Sequence, residues 1–327
     1  MKLLHLAVLC LGAVLSTFAQ AQGYPSQPIS IVVGFSPGGS NDILARLVAP
    51  KLSEALKVPV YVDNKPGANG HIGLQSVARA KPDGYTIYLG SASPLVLNPI
   101  INKNVQFSVD TDVVAINTVA KTFQVVATAS NSRFKTFKQL IETAKGKPQS
   151  VTLGTSGVAG NNHVLMEVIN AATGAGLLHV PYKGTGPAII DAISGQIGGI
   201  ISDYPGILAV KDGGGLTVLA VADSQRSRFL PGVPTITEAL DLGTDIDLSN
   251  WFAVVAPKGT PENVRKALFD AVSYAAADKE IQDKLAAAGY VSFSQRSVAA
   301  TDQFLATENT KWKSLVNKPE VQRNLQN

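Results

Sequence analysis

The stretch IVVGFSPGGSNDILARL, residues 31–47, carries three signals in succession. An apolar run ends at Phe35, a Ser-Pro-Gly-Gly-Ser turn follows, and a helical pattern starts at once. Leu44, Val48, Leu52 and Leu56 recur every four residues, which on a helix makes one apolar stripe. The unit reads as strand, glycine turn, helix. Such a turn presents backbone N–H groups at the positive end of the helix dipole, a natural seat for an anion. Gly38 and Gly39 let a guest approach the main chain closely. A Walker phosphate loop needs lysine after its last glycine, but Asn41 follows Gly39-Ser40 here. A dinucleotide fingerprint is also excluded, because Gly34, Gly38 and Gly39 are wrongly spaced. A carboxylate held by main-chain amides, with no cation beside it, is the expected guest. Ser40 is expected to cap the helix and Asp42 to stabilise its first turn.

The same alternation runs along the chain. Strand candidates are ISIVVGF (29–35), VPVYVD (58–63), YTIYLG (85–90), QVVATA (124–129), VTLGT (151–155), TVLAVA (217–222) and WFAVVAP (251–257). Several are apolar on both faces, as buried strands of a parallel sheet are. Between them lie helical patterns, such as PENVRKALFDAVSYAAA (261–277), with Pro261 in a first-turn position after a capping Thr260. The implied class is α/β, with two layered, mainly parallel sheets.

One internal echo bears on function. VTLGTSGVAGNNHVLMEVI repeats the plan of the opening stretch: apolar strand, serine with glycines, asparagine, amphipathic helix. About 120 residues separate the two, so each of two similar domains would carry one such turn. No long Pro/Ser/Gly linker divides the halves. The chain is expected to leave a first lobe, build a second and return: 1–21 signal peptide, 22–123 plus 250–327 domain 1, 124–249 domain 2. The C-terminal helices would pack on the first lobe.

Lys2, the apolar run 3–14 and Ala19-Gln20-Ala21 form a signal-peptide pattern, with cleavage expected after Ala21 and export to the periplasm. The sole cysteine, Cys10, falls within it, so neither disulfides nor thiolate metal sites are expected. The remaining chain has a small positive excess, no basic run of five and no arginine interleaved with aromatics. Nucleic-acid binding therefore finds no support.

Catalytic patterns are equally sparse. Ser156 lacks the nucleophile elbow, because Val158 stands where glycine is required. His71, His163 and His179 are dispersed in sequence. Glu167 lies four residues after His163 without the second histidine of a zinc motif. No metal and no cofactor is implied. His163 reads as structural or helix-capping. Asp241, Asp245 and Asp247 read as a solvated loop. In HVPYKGTGPAIIDAISGQI (179–197), a strand, a turn and a helix follow one another. Tyr182 is a cleft candidate there, and Lys183 is expected in solvent.

YPSQPISIVVGFSPGGSNDILAR, VPVYVDNKPGANGHIGLQSVARAKPDGYTIYLG, HVPYKGTGPAIIDAISGQI, LAVADSQRSRFLPGVPTITEAL and WFAVVAPKGTPENV, in this order, resemble the Bug family of extracytoplasmic solute receptors. These are the substrate-binding components of tripartite tricarboxylate transporters. The resemblance covers nearly the whole chain after the signal. It implies a two-lobed, type II periplasmic-binding-protein-like fold with an interdomain cleft that closes on a small organic acid. It implies contacts through main-chain groups of two facing turns and ordered water. Carried onto this chain, the first turn supplies Phe35, Ser36, Gly38, Gly39, Ser40 and Asn41. The second supplies Thr155, Ser156, Gly157 and Asn161. Ser91, Ala92 and Asp203 fall at positions the family places near the cleft mouth. Three residues depart from the family pattern. Pro50 should kink a helix or remove one hydrogen bond. Asn161-Asn162 replace a common Gly-Ser pair, and Gly232 replaces an acidic residue at a turn.

The leading expectation is therefore a monomeric, non-enzymatic receptor that serves membrane transporter subunits or a sensor protein. The alternatives are an exported hydrolase using Ser156 or Ser40 with a histidine, and a receptor for an uncharged ligand used in sensing.

Overall fold

The computed structural model describes residues 23–325 except 103, 212, 244, 245 and 247. The expected signal segment, and two of the three loop aspartates, Asp245 and Asp247, lie outside the described residues. No described helix is long and apolar enough to cross a membrane.

Two sheets organise the chain. The first contains β1 (Ile29–Val33), β2 (Val60–Asn64), β3 (Thr86–Ser91), β4 (Val113–Thr122), β10 (Asn250–Pro257) and β11 (Val291–Ser292), in the order β11-β4-β10-β3-β1-β2. The second contains β5 (Gln124–Ala129), β6 (Thr152–Thr155), β7 (Leu178–Pro181), β8 (Gly199–Asp203) and β9 (Leu216–Ala222), in the order β7-β6-β8-β5-β9. The two-lobed α/β expectation holds, but the sheets are mixed rather than mainly parallel. β2-β1-β3 and β7-β6-β8 are parallel, as strands joined by helical crossovers are. The strands through which the chain passes between lobes, β4 and β10 on one side and β5 and β9 on the other, pair antiparallel.

All seven strands read from the sequence are present within a few residues. The longest strand, β4, is not anticipated, because Asn117, Thr118 and Lys121 interrupt its apolar run. Asn117 is fully buried and its amide donates to Ser273 and Ser294, so the polar position is satisfied inside the lobe.

Helix α1 (Ser40–Leu56) lays Leu44, Val48, Leu52 and Leu56 into the first core, all buried. Complete burial of one such side chain contributes about 2 kcal/mol. Pro50 lies inside α1 without breaking it; the chain forgoes one intrahelical hydrogen bond there. Further helices are α2 (His71–Ala78), α3 (Asn98–Ile101), α4 (Phe137–Gly146), α5 (Asn161–Thr173), α6 (Thr185–Ile193), α7 (Tyr204–Lys211) and α8 (Ile236–Leu240). The C-terminal part adds α9 (Glu262–Ala277), α10 (Lys279–Ala287), α11 (Val298–Val316) and α12 (Pro319–Leu325). Thr260 does not cap α9. Its hydroxyl donates to the Pro257 carbonyl, and Pro261 stands at the cap.

β4 and β5 are separated by Phe123 alone, which stacks on Tyr204 with ring centroids 4.9 Å apart. The return passes through the segment between β9 and β10. Helices α9 and α11 pack on the first sheet, as expected of the C-terminal part, but α12 does not. It crosses to α5 of the other lobe and buries Val321 and Leu325.

Candidate functional site

The first turn leaves β1 at Phe35 and reaches α1 at Ser40. Gly38 adopts φ +84°, a conformation that favours glycine. Its N–H donates to the Asp42 carboxylate at 3.0 Å, and Arg46 and Asn64 donate to the same group. Burial alone would raise this carboxyl, but the hydrogen bonds from Arg46, the Gly38 amide and Asn64 hold it below its ordinary value. Asp42 is thus a brace for the turn, as the sequence suggests. Ser40 departs from expectation. Gly39 occupies the cap position, and the Ser40 hydroxyl donates instead to Asp203 Oδ2 at 2.7 Å, across to the second sheet.

The second turn runs from Thr155 to α5. The Asn161 N–H donates to Ser93 Oγ at 2.8 Å, so a serine from the first lobe caps the helix of the second. Ser156 Oγ donates to Asn162 Oδ1, Asn162 Nδ2 to Gln124 Oε1, and Gln124 Nε2 to the Leu248 carbonyl. This chain of bonds ties the turn to the interlobe strands.

Two of the three histidines come together in space, while His71 packs against Phe107. His163 and His179 stack with centroids 3.8 Å apart and planes 10° from parallel. The Ala159 N–H donates to His163 Nδ1, so His163 braces the turn before α5 rather than capping the helix, and Glu167 lies 3.5 Å from His163 Nε2. His179 Nε2 lies 2.6 Å from Thr155 Oγ1. Burial, then the neighbouring imidazole, pushes His179 down to about 3, so it is neutral and serves to hold Thr155. Among the described residues, no group of three or more His, Cys, Asp or Glu side chains could hold a metal ion. Neither serine of the hydrolase alternative pairs with a histidine: Ser40 bonds Asp203 and Ser156 bonds Asn162.

Between the lobes lies a polar chamber. Phe35, Gly39, Ser40, Asn41, Ser91, Ser93 and Asn250 line it from the first lobe, and Ser156, Asn162, Thr185 and Asp203 from the second. Its empty space is about 290 Å³, counting what opens to solvent, and it is narrow. No lysine, arginine or histidine lines it. Asp203 is buried within the chamber, not at its mouth. Burial raises its carboxyl to about 6, although Ser40 and Asn250 donate to Oδ2 and partly offset the shift. Asp203 Oδ1 and Asn41 Oδ1 are buried without a hydrogen-bond partner.

Seven of the sequence candidates thus meet in one place: Phe35, Gly39, Ser40, Asn41, Ser91, Ser156 and Asp203. The other six do not line the chamber. Ser36 is at the seam, where its N–H and Oγ both reach the Lys183 carbonyl. The side chain of Lys183 itself is exposed, as expected. Gly38 is exposed, Ala92 is buried in the core beneath, and Thr155 is engaged by His179. Gly157 packs beside Asn69, and the Asn161 side chain is buried with neither polar atom partnered. Tyr182 is also outside the chamber, with its hydroxyl bonded to Asp191. Asn162, noted in the sequence beside Asn161, also lines the chamber, as do Ser93, Thr185 and Asn250, which the sequence reading does not single out. The Lys-Gly-Thr-Gly run that leads into α6 is a third glycine-flanked helix start and points to Thr185. Asn250 opens an apolar strand and carries no local signal.

The comparisons with known proteins agree with this architecture. A family profile described as tripartite tricarboxylate transporter family receptor matches residues 44–321. The protein BugT of Bordetella pertussis is 34% identical over 301 residues, covering 90% of each chain. The chain belongs to the tripartite tricarboxylate transporter receptor family. Among solved receptors, the periplasmic binding protein BugD superposes with a TM-score of 0.85 at 29% identity, over 91% of this chain and 99% of that one. A structure of R. palustris Rpa4515 with adipate gives a TM-score of 0.85 at 26% identity, over 91% and 98%. In this receptor family frame, the chamber lies between the two lobes with one strand-turn-helix unit on each wall.

Proposed function

We propose that this receptor captures a small organic acid in the interlobe chamber, in the periplasm, and delivers it as a monomer to the membrane subunits of a tripartite tricarboxylate-type transporter. The lobes of this reading are residues 22–123 with 250–327, and residues 124–249. The observation that carries it is the convergence of two helix starts, α1 and α5, on one enclosed chamber. First-turn amides have no intrahelical acceptor, and each helix end favours negative charge by about 0.3–1 kcal/mol. Once closure expels water from the chamber, such contacts strengthen. The adipate bound by the R. palustris relative supports an organic acid as the ligand class.

The seam supplies the conformational step. Ser36 to Lys183, Ser40 to Asp203, Asn250 to Asp203 and Asn161 to Ser93 all join the lobes. A chamber this narrow admits an acid only after those contacts part. Phe123 and the β9–β10 return are the natural hinges, since at both the chain passes from one sheet to the other. The ligand then drives closure by binding the closed form better than the open one.

A thermal-shift panel of organic acids tests the reading. A ligand at 100 times its dissociation constant should add about 2.7 kcal/mol of stability. No shift with any acid, together with turnover of an ester or amide panel, would favour the hydrolase instead.

A further inference from the structure

We propose that Asp203, assisted by Asn41, reads a hydrogen-bond donor on the ligand, so the acid taken here carries a hydroxyl or ammonium group beside a carboxylate. The inference rests on the chamber being an acid-binding site and adds the identity of a second functional group.

The argument is one of donors and acceptors. Asp203 Oδ2 is satisfied twice, by Ser40 Oγ at 2.7 Å and Asn250 Nδ2 at 2.9 Å. Oδ1 of the same carboxyl is buried and accepts nothing. Asn41 Oδ1 is also buried and without a partner. Both residues line the chamber. Meanwhile the Ser156 hydroxyl serves Asn162, and the Asn162 amide serves Gln124. The side-chain donors of Ser40, Asn250, Ser156 and Asn162 are therefore committed to protein oxygens, and the inward-facing groups left over include two acceptors. Main-chain N–H groups of the helix starts suit a carboxylate; these acceptors do not. A plain dicarboxylate would set its oxygens against Asp203 Oδ1, with no cation in the chamber to relieve the repulsion. A hydroxyl or an ammonium would satisfy it, and a buried acceptor left unmatched penalises the ligand that lacks the donor. The narrow chamber and the seam bonds that close around it favour a short chain.

The test is calorimetric titration of ligand-stripped protein at pH 7.5 with three four-carbon acids: succinate, malate and aspartate. Malate or aspartate should bind about tenfold or more tightly than succinate. Preference for malate identifies a hydroxyl reader, and preference for aspartate an ammonium reader. In Asp203→Asn the side-chain oxygen stays with Ser40 and Asn250, which turns an N–H into the chamber. The advantage should then vanish or reverse in favour of succinate. Equal affinity of wild type for all three overturns the inference, as does an unchanged advantage in the folded variant. If only plain acids such as adipate bind, the receptor reading stands and this inference falls. If no acid binds, both fall.

Discussion

Replacing Gly186 with leucine is expected to abolish tight ligand binding while leaving both lobes folded. Gly186 is the second residue of α6, and a Cβ built there would lie 2.5 Å from the Pro37 carbonyl oxygen of the opposite lobe. That obstacle is backbone, so it cannot swing aside as a side-chain tip could. Within its own helix, leucine is a better residue than glycine by about 0.5–1 kcal/mol. The added bulk therefore acts as a wedge in the seam and not as a fault in either core. The Ser36 to Lys183 contact should fail to form, because it lies beside the wedge. Loss of the second wall's contacts, at about 1 kcal/mol or more each, should weaken binding by roughly 100-fold. Titration calorimetry gives the affinity, and the far-ultraviolet dichroism melt shows that the fold persists. Unchanged affinity in the folded variant would show that binding does not require the lobes to meet.

Asp203→Asn should make the unliganded protein more stable at pH 8 and leave it nearly unchanged at pH 4. The wild-type carboxyl titrates near 6 when folded, against 3.8 for an ordinary aspartate. Below about pH 4 it is protonated in both folded and unfolded chains and contributes no pH dependence. Between pH 4 and 6 the unfolded chain releases its proton first, so wild-type stability falls as pH rises. Above pH 6 the full cost of the buried charge persists, on the order of 3 kcal/mol. Asparagine has no charge to bury and retains an oxygen for Ser40 and Asn250. Urea midpoints of both proteins at pH 4 and pH 8 measure the difference. A variant less stable than wild type at pH 8 would mean that the two donors more than compensate for burial. Retention of so costly a carboxylate is what a binding role at Asp203 accounts for.

Much of the fold is legible in local pattern. The stripe at Leu44, Val48, Leu52 and Leu56 and the apolar runs of β1, β3 and β10 need only their own neighbours to be read. The turn at residues 35–41 announces its helix start for the same reason. What escapes is set by distant partners. Ser40 has every local mark of a helix cap, yet its hydroxyl goes to Asp203, 163 residues away. His163 and His179 look scattered until β7 brings the second ring onto the first. Asn250 and Ser93 matter because strands from opposite ends of the chain meet at the chamber. The polar interruptions of β4 hide a strand whose asparagine is satisfied by residues of two later segments, Ser273 and Ser294. The mixed sheets follow from the chain's passage between lobes, which periodicity within one strand does not report.

The most direct measurement is a crystal structure of the protein with the organic acid that binds it most tightly. The account predicts one molecule enclosed between the lobes, a carboxylate against the first-turn amides of α1 or α5, and a donor group facing Asp203 Oδ1. An acid bound outside that chamber, with the seam between Ser36 and Lys183 unaltered and no ligand between the lobes, would contradict it.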